Sequence, residues 1–212
     1  MAQTSSPYGI EVVSDHTGIV RPLRMPNGIQ SGLASNIFKN QAVTINPATG
    51  TLIPVTNPGG VPQPIFGIFQ GVEYTPVGGR PAVSPFWASG TTYSPYAPGA
   101  QGVNMFVYVI PAWLPGLRFK IQADGSVAQA LMGSQFNITN AANGNTTTGL
   151  SACTVGAAGI AAGGNGQFAL IEFATDVAVG GGGESAPGDA YTDLICTIAL
   201  SQIGPAPQPS IG

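Results

Sequence analysis

The sequence contains very little charge. Charged residues make up 7% of its 212 residues, against about 25% in an average soluble domain. The net charge is only -3 at pH 7, while hydrophobic residues reach 43%. A surface with so few charges has little electrostatic repulsion to prevent association. We therefore expect much of the surface to be covered by other protein.

Basic residues are also too few to form a surface for nucleic acid. A phosphate-binding surface needs lysines and arginines gathered on one face or along one groove. The six here are scattered along the chain, so the sequence predicts no direct binding of nucleic acid. They are Arg21, Arg24, Lys39, Arg80, Arg118 and Lys120.

Histidine and cysteine, the usual residues of metal sites and nucleophilic catalysis, are nearly missing. His16 is the single histidine, and with Cys153 and Cys196 it shows no spacing typical of zinc ligands. Ser151 lacks the Gly-x-Ser-x-Gly turn that presents a catalytic serine. The carboxylates are dispersed, and the glycine-rich stretches lack the lysine of a phosphate-binding loop. The sequence predicts a protein that is not an enzyme and has no cofactor and no metal.

Long apolar runs are missing as well. No stretch approaches the 18 to 20 apolar residues, roughly, of a membrane span, so we expect no membrane association. The start, MAQTSSPYG, lacks the charged and apolar regions of a signal peptide. We therefore expect synthesis in the cytoplasm, where the two cysteines would stay reduced and buried.

Glycine and proline are abundant, with 31 and 19 copies. They separate short apolar segments, and no helical periodicity holds over three turns. This pattern favours many short strands joined by turns. We predict an all-β fold, an antiparallel β-barrel or β-sandwich of jelly-roll-like type, with an extended N-terminal arm and long loops.

The segment 65–74, IFGIFQGVEY, is the strongest predicted strand. Because strand side chains alternate between faces, the second face carries Phe69 between Gly67 and Gly71. Glycine there lets another backbone or side chain approach closely. We predict a sheet that is packed on both faces, with a core face formed by Phe66, Ile68, Gln70, Val72 and Tyr74.

Two hairpins and a central strand are predicted from local signals. Asn46, Pro47 and Gly50 suit a turn between strands 42–45 and 51–55. Asp124-Gly125 suits a hairpin between 117–122 and 127–131. The segment 103–110 is apolar on both faces, so we expect a central position. Further strands are predicted at 80–88 (an edge strand), 135–139, 150–155, 168–173 and 194–200.

The domain organisation follows from the distribution of proline and glycine. Residues 1–32 are predicted to be an extended arm that runs over a surface. Residues 33–203 form the body, with a loop insertion at 89–102 and a glycine-rich loop at 180–190. Residues 204–212 form a proline-rich tail outside the sheet.

Several short motifs, in this order, resemble the capsid cement (head decoration) proteins of tailed bacteriophages. They are the start Pro7-Tyr8-Gly9 and the segments QAVTINPATGTLIPVT, IFGIFQGVEY, RFKIQADGSV and NGNTTTGLSACTV. The segment IFGIFQGVEY is similar to a "GVVVGFE" strand of that family, and the segment RFKIQADGSV is similar to an "FEIQ" strand. The resemblance covers residues 7–203, whereas the segments 12–32 and 89–102 look particular to this chain.

The resemblance implies a β-barrel or sandwich that sits on the outside of the phage head, made in the host cytoplasm. It implies binding to the major capsid protein and stabilisation of its lattice without turnover, as a homo-oligomer, with a trimer favoured over a dimer. From the residues, an alternative is a β-sandwich glycan-binding or adhesion module of a virion fibre. The candidate capsid or subunit contacts are Tyr8, Ile10, Arg21, Phe86, Trp87, Tyr93, Tyr96 and Trp113.

Overall fold

A computed structural model describes residues 5–14, 20–57, 60–93, 103–160, 164–174 and 186–203. Within these residues the chain forms fifteen strands and one turn of 3-10 helix, with no α-helix. No helix in this part of the chain is long and apolar enough to cross a membrane. The all-β prediction is confirmed.

Most strands are short. In chain order they are β1 (Glu11–Ser14), β2 (Leu23–Pro26), β3 (Gln41–Ile45), β4 (Leu52–Pro54), β5 (Gly67–Tyr74), β6 (Ala82–Ser84), β7 (Met105–Pro111), β8 (Arg118–Gln122), β9 (Gln135–Phe136), β10 (Ile138–Thr139), β11 (Gly144–Asn145), β12 (Leu150–Ser151), β13 (Thr154–Val155), β14 (Phe168–Phe173) and β15 (Asp193–Ile198). The 3-10 turn spans Gln129–Leu131.

The strands build two main antiparallel sheets. The five-stranded sheet has the order β1-β8-β15-β14-β9. The six-stranded sheet has the order β2-β7-β5-β3-β4, and β6 pairs with the second half of β5. Two further two-stranded ladders join β10 to β13 and β11 to β12. Within the described residues neither sheet closes on itself, so the architecture is a β-sandwich and not a barrel.

The first hydrophobic core lies between the two sheets. The six-stranded sheet contributes Ala42, Ile68 and Ile110, and the five-stranded sheet contributes inward side chains such as Phe119 and Leu194. Every second residue of β8 points inward, as strand geometry requires.

A second core covers the opposite face of the six-stranded sheet. Strands β5 and β7 supply Phe69, Val72, Val107 and Val109. They pack against residues outside the strands, including Ile29, Ile37, Trp87 and Tyr93. Packing on both faces, and the central position of β7 between β2 and β5, are therefore confirmed.

The predicted faces of the 65–74 strand are wrong in register. Ile68 belongs to the core between the sheets, whereas Phe66 and Val72 belong to the second core. Phe66 lies before β5 begins and therefore outside its regular alternation. Val72 follows a register shift between Phe69 and Gly71, where β5 bulges against β7. A bulge adds one residue to a strand and reverses which face the following side chains occupy.

The close neighbour of Gly67 is β7, a strand of the same sheet. A Cβ at Gly67 would lie 2.5 Å from the carbonyl oxygen of Ile110 and would also meet the Val109 side chain. Gly71 has a φ of 153°, which L residues rarely adopt, and it forms part of the bulge. Both glycines are explained within the single chain.

The two predicted hairpins have different outcomes. Strands β3 and β4 pair as expected, and Gly50 closes their turn with a φ of 69°. The Asp124-Gly125 hairpin is wrong, because β8 pairs with β1 and β15. The Asp124 carboxylate instead accepts hydrogen bonds from the Ala157 backbone at 2.7 Å and the Thr139 hydroxyl at 3.1 Å, so this turn is held by distant segments.

The predicted N-terminal arm is largely built into the fold. Strand β1 forms one edge of the five-stranded sheet, and β2 forms one edge of the six-stranded sheet. Ile10 and Ile29 are fully buried, one in each core. Pro22 and Pro26 allow this placement, because an edge strand has one side that needs no hydrogen-bond donors.

Parts of the other predicted segments lie outside the described residues. These are 94–102 of the loop insertion, 180–185 of the glycine-rich loop and the whole tail 204–212. The two cysteines are described; both are buried and unpaired, as expected.

Candidate interaction surface

Three of the predicted contact residues are part of the protein interior. Ile10 is 0% exposed, Trp87 is 1% exposed and Tyr93 is 5% exposed. The Tyr93 hydroxyl donates a hydrogen bond to the backbone oxygen of Ile29 at 2.6 Å. These side chains are core residues and present almost no surface to a partner.

Tyr8 fixes the N-terminal segment to the five-stranded sheet. Its ring lies 5.4 Å from the Lys120 ammonium, which is 3.2 Å from the Asp193 carboxylate. Burial, and after it the Asp193 carboxylate, raise the pKa of Tyr8 well above its ordinary value. The hydroxyl therefore stays protonated even at strongly alkaline pH.

The remaining predicted contacts that the structure describes are at least partly accessible. Arg21 is exposed, and Phe86 is half-buried with its ring 6.0 Å from that of Phe38. Trp113 is half-buried and packs edge-on against Phe66 at 5.0 Å. Tyr96 lies outside the described residues, as does His16.

A more accessible surface lies at one end of the six-stranded sheet, and we call it the ledge. It consists of Arg24, Glu73, Val83, Phe106 and Tyr108. In the antiparallel register Arg24 pairs with Tyr108, Glu73 pairs with Phe106, and Val83 pairs with Glu73. Directly paired residues share a face, so these side chains stand together across β2, β7, β5 and β6.

The ledge continues the inner face of the sheet beyond the other sheet. Ile110, two residues further along β7 from Tyr108, is buried between the sheets. Tyr108 and Phe106 are only half-buried, and Val83 is 80% exposed. The five-stranded sheet therefore leaves this end of the face uncovered.

Both charges of the ledge are held by aromatic neighbours. The Arg24 guanidinium lies 3.3 Å from the centre of the Phe106 ring, which is a cation-π contact. The Tyr108 hydroxyl donates a hydrogen bond to the Glu73 carboxylate at 3.1 Å. The side chains are thus ordered before any partner binds, which lowers the entropy lost on binding.

Two further exposed valines lie at the same end of the sheet. Val77 is 65% exposed and Val103 is 40% exposed. The backbone hydrogen bond from Thr75 to Asn104, 2.9 Å long, brings the turn of Val77 beside the start of β7. An end with this many accessible apolar side chains is typical of a surface that contacts other protein.

Sequence reasoning missed the ledge because it treated the segment 103–110 as uniformly buried. The signal was present, since Phe106 and Tyr108 alternate with the aliphatic Met105, Val107 and Val109. Tyrosine with an aromatic neighbour on one face of a strand is typical of a half-buried face. The register with Arg24 requires the pairing of β2 and β7, which no local pattern reveals.

A groove of about 440 Å³ lies beside Trp113. The described residues that line it include no charged residue. They are Ala112, Trp113, Leu114, Pro115, Gly116, Gln135, Ala169, Thr197, Ile198, Ala199 and Ser201. Gln135, Ala169 and Thr197 form one cross-strand row on β9, β14 and β15. The groove is thus formed between the corner after β7 and one end of the five-stranded sheet.

No group of three or more histidine, cysteine or acidic side chains in the described part of the chain is placed to hold a metal ion. Comparison with protein families, with curated proteins and with solved structures finds no match to this chain. The resemblance to capsid cement proteins therefore stays a prediction.

Proposed function

We propose that this protein is a structural virion protein, a capsid cement that binds the outside of a phage head and stabilises the lattice of the major capsid protein. The observation that carries the proposal is the ledge with its exposed valines. It gives an otherwise ordinary β-sandwich an ordered, accessible surface in which apolar side chains surround two charges, and aromatic neighbours already hold both charges.

The chemistry of the ledge suits permanent attachment. Apolar contacts and aromatic side chains dominate the centres of stable interfaces, and lysine and glutamate are depleted there. Arg24 and Glu73 are already held by Phe106 and Tyr108. Binding through such a surface depends little on ionic strength, because few exposed charges take part.

Repetition on the capsid would supply the affinity that one ledge lacks. A cement protein meets identical sites on many capsid subunits, and an oligomer binds several of them at once. We propose a homo-oligomer, with a trimer favoured over a dimer, as the form that binds. Each single contact then needs only modest affinity.

The direct test is to mix the purified protein with expanded heads that lack it and to separate bound from free protein by sedimentation. We expect co-sedimentation at low and at high salt, and heads that resist heating better than undecorated heads. Protein that stays in the supernatant at both salt concentrations would overturn the proposal.

The alternative, a glycan-binding or adhesion module of a virion fibre, is favoured by one observation, the half-buried Trp113 beside a groove. Aromatic rings of this kind can stack on sugars. Retention on immobilised host surface glycans, with loss of retention in a Trp113→Ala variant, would support the alternative over the capsid proposal.

A further inference from the structure

The Trp113 groove has the properties of a site for an extended, uncharged peptide. None of the described lining residues is charged, and the lining includes Trp113, Leu114 and Pro115. Aromatic and proline side chains provide flat apolar contacts for such a segment. Grooves of this chemistry bind proline-rich segments in the polyproline II conformation.

A segment of matching chemistry begins next to the groove. Residues 204–212, GPAPQPSIG, contain three prolines and no charge. Ser201 and Ala199 line the groove, so the tail starts only three residues after a lining residue. Nine residues in polyproline II conformation reach about 28 Å, at roughly 3.1 Å per residue.

The starting point of the tail is fixed in space. The Gln202 side chain accepts a hydrogen bond from the Ile45 backbone at 2.8 Å and donates one to the Ile45 carbonyl at 3.0 Å. It also accepts one from the Thr44 hydroxyl at 3.1 Å. A tail that begins at a fixed point beside a groove has a high effective concentration there.

We propose that the Trp113 groove binds residues 204–212 of the same chain. The prolines restrict the free tail, so little conformational entropy is lost on binding. The proposal does not depend on the capsid function, and its test uses only the purified protein.

The test compares the full chain with a chain that ends at Ile203. The chain contains two tryptophans, and Trp87 is 1% exposed, so changes in fluorescence quenching by acrylamide report on Trp113. We expect truncation to increase quenching and to shift emission to longer wavelength. A synthetic GPAPQPSIG peptide should reverse both changes, whereas a peptide with alanine at the three proline positions should not.

Two substitutions at one position control for folding. Thr197→Arg places a long charged side chain in the groove, and Thr197→Val keeps its size. We expect Thr197→Arg in the full chain to reproduce the quenching of the truncated chain, and Thr197→Val to behave as the unaltered protein. Equal circular dichroism and melting of both variants would show that each is folded.

Three results would overturn the proposal. The first is equal quenching in the full and truncated chains, and the second is a peptide that leaves the truncated chain unchanged at millimolar concentration. The third is a full chain that sediments as an oligomer and becomes a monomer on truncation, because the tail would then bind a second copy.

Discussion

Single residues explain the close packing of the sandwich, and Gly67 is the clearest case. It lies on β5 between β3 and β7, where a side chain would collide with the backbone oxygen of Ile110 and with Val109. The backbone of a neighbouring strand cannot move aside as the end of a flexible side chain can. Glycine is therefore required here by space.

We predict that Gly67→Ala destabilises the protein by about 1–3 kcal/mol, the usual cost of overpacking a core. Chemical denaturation followed by circular dichroism measures it. Gly156→Ala is the matched control, because a Cβ there would lie 3.4 Å from Thr139, an ordinary contact distance. Equal loss of stability in both variants would contradict the packing account.

We predict that the buried thiol of Cys153 lowers the free energy of unfolding at alkaline pH. Burial raises the pKa of its thiol from 9.0 to about 11. Because the folded state holds the proton more tightly than the unfolded state, the contribution is fully present below pH 9 and is lost as pH rises towards 11. At 1.36 kcal/mol per pKa unit, a rise of two units amounts to roughly 3 kcal/mol.

The check is the free energy of unfolding measured in urea between pH 8 and 11, for the natural protein and for Cys153→Ala. We expect the variant to show a shallower decline with pH, although it is less stable overall because of the cavity it creates. Cys196 and Tyr8, whose pKa values are also raised by burial, keep part of the decline in both proteins. Identical slopes would contradict the assignment to Cys153.

At the scale of elements, the sandwich depends on segments that are distant in sequence. The N-terminal residues supply an edge strand to each sheet and a buried isoleucine to each core. A segment that looks like an arm in sequence is therefore part of both sheets and both cores.

We predict that deletion of residues 1–30 prevents folding, because it removes β1, β2, Ile10 and Ile29 together. Replacing one large buried aliphatic residue by alanine already costs about 2–5 kcal/mol, and a domain is stable by only about 5–15 kcal/mol. The measurement is circular dichroism and thermal melting of the truncated chain. Deletion of residues 1–4 is the control and should leave the melting temperature unchanged; a folded chain 31–212 would contradict the role of both strands.

A buried amide holds the loop before β5 to the rest of the fold. Gln167, 0% exposed, accepts a hydrogen bond from the Ile138 backbone at 2.9 Å and donates one to the Gln63 carbonyl at 2.8 Å. Its side chain also bonds to the Asn57 amide at 3.1 and 3.2 Å. One side chain thus links three segments.

We predict that Gln167→Leu destabilises the protein by several kcal/mol, since each buried partner left without a hydrogen bond costs about 1–3 kcal/mol. The exposed Gln129→Leu is the matched control, with the same change of side chain and no buried partner. Urea denaturation of the two variants gives the comparison. A Gln167→Leu protein as stable as the control would show that the network contributes nothing.

Local signals were sufficient for the fold class and for the β3-β4 hairpin, because composition and a turn around Gly50 are encoded in neighbouring residues. They failed where distant pairing decides the outcome. Asp124-Gly125 has the sequence of a hairpin turn, but β8 finds better partners in β1 and β15. The bulge after Phe69 and the register that aligns Arg24 with Tyr108 likewise depend on neighbouring strands.

For the candidate site, aromatic residues were a useful guide to packing but a poor one to exposure. Trp87 and Tyr93 pack together with ring centres 6.1 Å apart in the second core. Phe106 and Tyr108, which lie in a strand predicted to be buried, are the more accessible pair. Exposure depends on how far the five-stranded sheet extends over its partner, which the sequence does not encode locally.

The whole molecule combines three features: a sandwich with two cores, a surface with few charges, and an accessible ledge at one end. The first makes the body rigid, the second removes electrostatic repulsion, and the third gives a surface to bind with. Together they suit a protein whose proposed task is to hold others in place.

The central claim is that the ledge binds a capsid lattice. The most direct test is the number of bound copies per expanded head, measured by cryo-electron microscopy for Val83→Glu and Ala130→Glu. Both substitutions add one negative charge at an exposed position, but Ala130 lies in the 3-10 turn, outside the ledge. The account predicts full occupancy for the natural protein and for Ala130→Glu, with strongly reduced occupancy for Val83→Glu. Equal occupancy of the two variants, or undecorated heads with the natural protein, would contradict it.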